Sequence, residues 1–504
     1  MRAAHRGRKL PKSDVVIQRR RAARLRAALA ITISLVSLGA MDPAFAQFRG
    51  GDIRPMSVGP RPPSSFGGST FGNVGRVDPG LRLMPNDGGA VVSTSPNNPS
   101  PTIRNFTSRS NRSVANGVPP ANERRYVTDE VLILLNGNPS SAVVDTFTRR
   151  HRLTRMESQY FPLLGATLYR WHIPNGRSVT AVTTELATDH GIGWSQPNYI
   201  YSLQQSVAGE GVEKTQSEGD IAQYALAKLH LSEAHGLAKG DQVLVAVIDS
   251  GIDPSHPELQ GVVADQFDAL QSSEGPHVHG TGIAGIIAAH GRLVGAAPAV
   301  HILAVRAFGL ASSGAEGTTF NIVKGLDWAT SKGARIVNMS FAGPSDPLMA
   351  RTMASARQKG AILIAAAGNA GPKSPPLFPA ADPNVIAVTA TDADDHLFPM
   401  ANRGAYIAVA APGVDILVPV PGGSYQVSSG TSFAAAYVSG VVALILERRP
   451  RLLPDAAKRI LLATAKDLGP KGRDDQFGAG LIDAYQAIMS LEPKATANSG
   501  AAVR

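Results

Sequence analysis

Between Tyr224 and Met489, short runs rich in β-branched residues alternate with longer helix-like segments, and this alternation restricts the possible fold more than any other property of the chain. Residues 243–248, 301–306, 335–339, 361–366 and 385–389 have strand character. Residues 319–332, 348–358 and 454–465 have helix character, the last opening on Pro454, where a first helical turn tolerates proline. Strands interleaved with helices need crossover connections, which are right-handed and place helices on both faces of a mostly parallel sheet. In such sheets functional side chains gather at the carboxyl ends of the strands.

Four polar residues fall at positions of that kind. Val245-Ala246-Val247-Ile248-Asp249 ends a strand on a carboxylate, and Ile364-Ala365-Ala366-Ala367-Gly368-Asn369 ends another on an amide. Pro276-His277-Val278-His279-Gly280-Thr281-Gly282 puts His279 at the start of a small-residue helix. Gly430-Thr431-Ser432-Phe433-Ala434 precedes the apolar run 438–446, which is too continuous for a surface helix. Ser432 is therefore expected at the exposed N-terminus of a buried helix, where the dipole and free N–H groups suit a developing oxyanion. Taken singly, each residue has an ordinary structural reading: a helix cap for Ser432, a turn for Asp249 and Asn369, a surface or structural histidine for His279.

Taken together and in this order, Asp249-Ser250-Gly251, His279-Gly280-Thr281, Ala367-Gly368-Asn369 and Gly430-Thr431-Ser432 resemble the motifs of the subtilisin-like serine proteases. The resemblance spans roughly residues 224–488 and extends to Val294-Gly295-Ala296-Ala297-Pro298, Ile336-Val337-Asn338-Met339-Ser340, Ala411-Pro412-Gly413 and Phe477-Gly478-Ala479-Gly480-Leu481-Ile482. It implies a three-layer α/β fold with a mostly parallel central sheet, and a serine endopeptidase whose chemistry needs no cofactor. Ser432 would attack the peptide carbonyl, His279 would carry the proton and Asp249 would orient the imidazole. Asn369 and the Ser432 N–H would hold the oxyanion; losing the corresponding side-chain donor in a subtilisin costs about 10²–10³ in turnover. His277 and His290 lie nearby, but only His279 precedes Gly-Thr and the apolar helix.

The resemblance also assigns the substrate cleft. The backbone of Ser340-Phe341-Ala342-Gly343 would pair with an extended protein or peptide substrate, and Gly368 would wall the pocket for the residue before the cut. Leu377 stands in place of a glycine at that pocket's floor, implying a shallower pocket for small or medium side chains. Gly282 and Ala436 replace a frequent histidine and a usual proline, and Phe433 replaces a common methionine, so lower peroxide sensitivity is expected. The stretch 290–294 is shorter than the subtilisin calcium loop, so a metal site is unknown from sequence. Structural calcium is left open, with Glu258 and Asp253 as the oxygen ligands on offer.

The remainder reads as a precursor. Residues 1–46 combine a basic start, an apolar stretch too short for a span of about 20 residues, and Pro43-Ala44-Phe45-Ala46 before Gln47, as in a secretory signal peptide. Residues 47–122 are Gly/Pro/Ser/Arg-rich and expected to be disordered, 204–223 form a polar linker holding the processing site, 224–489 are the peptidase domain and 490–504 a disordered tail. Residues 123–203 pattern as β-α-β-β-α-β, a small two-layer α+β domain. By resemblance it is an inhibitor and chaperone-like pro-domain that occupies the cleft of its own chain until cut away. The absence of cysteine excludes thiol catalysis and disulfides. Much of the net charge of +10 lies in the signal and the unpatterned segment, which excludes nucleic-acid binding by a folded basic face. No further segment reaches spanning length; the mature chain is expected to be exported to the periplasm or the medium, and to be a monomer. A peptide ligase or cyclase, and a non-catalytic envelope-binding protein on the same fold, are the alternatives.

Overall fold

The computed structural model describes residues 117–189, 191–203, 223–312 and 314–492. The expected signal segment, residues 47–116, linker residues 204–222 and tail residues 493–504 lie outside them.

Six elements come first: β1 (Tyr126–Asn136), α1 (Ser141–His151), β2 (Thr154–Phe161), β3 (Ala166–His172), α2 (Val179–Leu186) and β4 (Trp194–Leu203), in the β-α-β-β-α-β order read from the sequence. Successive side chains of a strand point to opposite faces. Val131, Ile133 and Leu135 of β1 therefore meet Val144 and Phe147 of α1 and Val182 and Leu186 of α2 in one core. Leu132 and Leu134 turn the other way and join a second core shared with the larger domain. Ser178 starts α2 by accepting a hydrogen bond from the Ala181 N–H.

The larger domain begins with Gln223, which is buried and bonds both backbone groups of Val294 through its side chain. Its first part runs α3 (Tyr224–Lys228), α4 (Leu231–His235), β5 (Leu244–Asp249), β6 (Val263–Asp268), α5 (Val278–Ala288) and β7 (His301–Arg306). Then follow β8 (Gly309–Ala311), β9 (Gly314–Thr318), α6 (Thr319–Ser331), β10 (Ile336–Met339), β11 (Phe341–Ala342), α7 (Pro347–Gln358), β12 (Ile362–Ala366), β13 (Val385–Thr391) and β14 (Ile407–Pro412). The hairpin of β15 (Ile416–Val420) and β16 (Ser424–Ser428) leads to α8 (Thr431–Arg448), α9 (Pro454–Thr464) and α10 (Ala484–Met489).

The central sheet has the order β14-β13-β12-β10-β5-β7-β6, and every adjacent pair is parallel. Val245 and Val247 of β5 face α5 and α8, whereas Ala246 and Ile248 face α6 and α7. This is the three-layer arrangement the alternation requires. The sequence pattern missed β6 and β14, the two edge strands: Val-Ala-Asp-Gln-Phe-Asp is half polar because only part of an edge is covered, and Ile-Ala-Val-Ala-Ala-Pro carries few large side chains. Helix α8 is the one helix among the described residues long and apolar enough to cross a membrane, but 89% of that 18-residue stretch is buried inside the protein. It is the core helix, each buried Val, Leu or Ile contributing about 1.5–3 kcal/mol.

Strand order reverses at β5, with β7 on one side and β10 on the other. The crevice beyond the carboxyl ends of β5 and β10 is thus a topological switch point. The small domain reaches this crevice through β4. Its first half pairs with β1, and its end pairs antiparallel with both β9 and β11, so one sheet of order β2-β3-β1-β4-β9-β8 runs through both domains.

Candidate active site

Strand β5 ends on Asp249, which has no exposed surface. Its Oδ1 accepts from the Ser250 N–H at 2.7 Å and the Ser250 hydroxyl at 3.0 Å, while His279 Nδ1 lies 2.8 and 2.9 Å from its two oxygens. His279 is held by the start of α5, where His277 caps the helix by accepting the His279 N–H. Burial pushes the His277 imidazole below its ordinary pKa, which keeps it neutral and able to accept. Of the other two histidines near the motif, His277 reaches the Ser250 hydroxyl at 3.1 Å and His290 only the Ala288 carbonyl at 3.3 Å. His279 alone of the three meets Asp249, and its Nε2 is buried without a hydrogen-bond partner.

Ser432 is the second residue of α8, after the Gly430 cap. Gly430 has φ 156° and ψ 157°, a conformation open to glycine alone, which is why glycine stands there. The turn is closed over on several sides. Gly430 donates to the Gly413 carbonyl at 2.7 Å, and the Ser432 hydroxyl donates to the Ser340 carbonyl at 3.1 Å. Ser432 is consequently fully buried, not exposed as the sequence suggested, because the carboxyl end of β10 lies across the helix start.

Asn369 follows β12. Its Oδ1 accepts from the Thr431 N–H at 3.1 Å and the Thr431 hydroxyl at 2.8 Å, which fixes the amide with Nδ2 turned away from Thr431. Gly368 donates its N–H to the Thr431 hydroxyl at 3.1 Å. Its φ of 108° and the nearness of Leu377 Cδ1, 3.0 Å from where a β-carbon would sit, again call for glycine. Leu377, Asn369, Ala370 and Ala342 line a cavity of ≈ 320 Å³ together with Ser202 of β4. Phe433 is buried, with its ring 6.0 Å from that of His279. Gly282 packs against β15, where a β-carbon would lie 3.2 Å from Val418 Cγ2, tighter than an ordinary contact, so a larger side chain there would require Val418 to shift.

Of the cleft residues, Phe341 pairs with Leu203 and Ala342 with Ser202. Gly343 instead exchanges backbone hydrogen bonds with Phe378 at 2.8 and 3.1 Å, so it braces the cleft strand and does not pair with β4. Sequence reasoning missed the opposite wall. Ile200, Tyr201 and Ser202 pair with Thr318, Gly317 and Glu316 of β9, a Gly-rich stretch with no apolar signature. It also missed Ser250 and His277 as supports of Asp249 and His279, although both stand inside the quoted motifs.

Glu258 and Asp253 do not fit a hard cation. Glu258 accepts from the N–H groups of Gly291, Arg292 and Leu293 at 2.9–3.1 Å and from the Tyr425 hydroxyl at 2.7 Å. Asp253 accepts from Ser255 and from the Gly422 N–H at 3.0 Å. Burial alone would raise the Asp253 carboxyl, yet these bonds outweigh it and hold it below the ordinary carboxylate value. Among the described residues no group of three or more His, Cys, Asp or Glu converges to hold a metal. The shortened loop thus presents N–H donors to an anion, the reverse of a calcium site. Glu258→Ala, which strands buried donors, should cost roughly 2–4 kcal/mol. Denaturant titration in an inactive background checks this.

Residues 240–480 match the family model described as Subtilase family. The chain is 36% identical to subtilisin DY of Bacillus licheniformis over 259 residues, covering 50% of this chain and 92% of that protein. It is 33% identical to thermitase of Thermoactinomyces vulgaris over 278 residues, covering 53% of this chain and 96% of that protein. Among solved structures it is similar to fervidolysin from Fervidobacterium pennivorans, a keratinolytic enzyme related to subtilisin, with a TM-score of 0.62 and 25% identity, covering 73% of this chain and 62% of that one.

Proposed function

The chain belongs to the subtilase family and is a subtilisin-like serine peptidase, and from that premise we propose that Asp249, His279 and Ser432 form its catalytic triad and that it matures by cutting itself. The observation that carries the reading is the His279–Asp249 contact of 2.8 Å at the switch point, with Ser432 opening the helix that faces it.

On this reading the reaction is acyl transfer through Ser432, and Ser432 Oγ must turn from the Ser340 carbonyl to His279 Nε2 for it to begin. Ser432 Oγ adds to the peptide carbonyl as its proton passes to His279 Nε2, and Asp249 stabilises the imidazolium through Nδ1–H. The oxygen of the tetrahedral intermediate takes the charge, held by the Ser432 N–H and Asn369 Nδ2 at the positive end of α8. His279 then returns the proton to the leaving amine, and water hydrolyses the acyl-enzyme by the same steps in reverse order. Hydrolysis regenerates Ser432.

In the uncut chain, residues 123–203 act as pro-domain, with β4 lying where a substrate strand would lie. The register supports a specific first cut. Leu203 faces Phe341, so counting one residue on reaches Ser340, whose carbonyl receives the Ser432 hydroxyl. The first cut is accordingly expected after Gln204, within the 204–223 linker, following export and removal of residues 1–46. Extended protein or peptide substrates would bind through Ser340, Phe341 and Ala342 on one edge and β9 on the other, with Leu377 limiting depth beside Asn369. Labelling with a fluorophosphonate, combined with N-terminal sequencing of the products, tests this reading. The label should appear on Ser432, vanish in His279→Ala, and accompany a new N-terminus at Gln205; label elsewhere or processing outside 204–223 would overturn it.

A further inference from the structure

Asp346 is a buried carboxylate whose surroundings are only partly explained by the fold. It caps α7 by accepting the Met349 N–H at 3.0 Å, and it also accepts the Thr319 hydroxyl at 2.6 Å. Its other two donors come from β4, which carries the substrate-like register: Gln196 Nε2 at 2.7 Å on Oδ1 and the Tyr201 hydroxyl at 3.2 Å on Oδ2. Removing the small domain takes away both donors at once. What stays behind is a slot ending in a carboxylate.

The slot is shaped for the ring as well as for the hydroxyl. Tyr201 is fully buried; its ring meets Phe341 edge to face at 5.7 Å, and a β-carbon on Gly343 would collide with it. Its backbone pairs with Gly317 in β9, the edge that would hold a substrate. Counting from Ser340, the position of Tyr201 is the fourth residue before the cut bond. A phenylalanine there would fill the slot but set an apolar ring edge against Oδ2, which would keep the Thr319 hydroxyl and lose its second donor, and a buried carboxylate that loses a donor is destabilised.

We propose that Asp346 is a specificity-determining residue, selecting tyrosine over phenylalanine at the fourth substrate position before the cut. The proposal rests on the peptidase reading above. It goes beyond that reading in assigning a hydroxyl-reading carboxylate to a position remote from the reacting atoms. Remote contacts of this kind raise kcat/KM by transition-state binding and do no chemistry themselves.

The test uses the enzyme matured from the full-length chain and a set of peptides identical except for Tyr, Phe, Leu or Arg at the fourth position. Tyr should exceed Phe in kcat/KM by about tenfold, the scale of one hydrogen bond to a charged group. In Asp346→Ala the Tyr/Phe ratio should fall to about one, and in Asp346→Asn, which keeps a capping acceptor, it should be intermediate. A merely structural cap would lower all four substrates together and leave their ratios unchanged. Equal cleavage of Tyr and Phe by the unaltered enzyme overturns the proposal without any variant having to fold, and preference for Arg would show selection by charge and overturn it too. Failure to cleave any peptide would instead sink the peptidase reading, and this inference with it.

Discussion

A Ser432→Ala protein is expected to keep its fold, lose peptide hydrolysis by roughly 10⁶-fold, the order found when the nucleophile is removed from a subtilisin, and accumulate as an uncut precursor. The substitution deletes one oxygen at a fully buried position. The deleted hydroxyl bonds the Ser340 carbonyl, a loss of about 1 kcal/mol. The Ser340 hydroxyl still donates to the residue 432 carbonyl at 3.1 Å, and the buried aliphatic face of α8 is untouched. Stability and chemistry therefore separate. No acyl-enzyme can form without Oγ, and the polypeptide segment after β4 stays intact if the chain is its own first substrate. Mass spectrometry of purified protein reads the outcome directly. A normally processed N-terminus in purified Ser432→Ala would assign maturation to another protease, and hydrolysis within a factor of ten of the unaltered enzyme would remove Ser432 from the mechanism.

The central layer was legible because strands buried on both faces must be apolar throughout, as in Val-Ala-Val-Ile before Asp249 and Ile-Leu-Ile-Ala-Ala before Asn369. Helix starts were legible for the same reason: glycine at 430 and small residues after His279 mark backbone that must approach its neighbours closely. What was not legible is pairing between backbone edges. Gly314-Ala315-Glu316-Gly317-Thr318 has neither strand period nor apolar content, yet it forms one wall of the cleft by main-chain bonds alone. The polarity of a site is equally hidden. Glu258 reads as a cation ligand until its partners are seen to be three N–H groups and a phenol. Tyr201 and Asp346, 145 residues apart, have no local signal at all.

This division also explains how one strand can serve two purposes. Side chains of β4 that reach away from the cleft secure the domain: Asn198 accepts the Phe320 N–H at 3.2 Å and Gln196 the Leu348 N–H at 3.0 Å, so each satisfies the start of a helix. The backbone of residues 200–203 meanwhile pairs antiparallel with β9 and β11, the edges that would hold a substrate on the proposed reading. A free peptide can reproduce the second set of contacts but not the first, so the covalently attached strand should outcompete it until cleavage.

Asp249→Asn is expected to lower kcat by about 10⁴ while leaving KM within a few-fold, the pattern for a residue that acts through the histidine and touches no substrate. The carboxylate serves donors on both oxygens: Oδ1 takes the Ser250 N–H at 2.7 Å and its hydroxyl at 3.0 Å, and His279 Nδ1 lies within 2.9 Å of each oxygen. An amide has one acceptor oxygen. If that oxygen keeps the two Ser250 donors, the NH₂ must face His279 Nδ1, which then has to accept. The imidazole proton moves to Nε2, the atom that must receive the proton of Ser432, and general-base catalysis fails although every heavy atom stays in place. Steady-state kinetics on one peptide, with fluorophosphonate labelling of Ser432 slowed in parallel, measures the effect. A loss confined to KM, or labelling at the unaltered rate, would show that Asp249 supports the fold of the site and not the protonation state of His279.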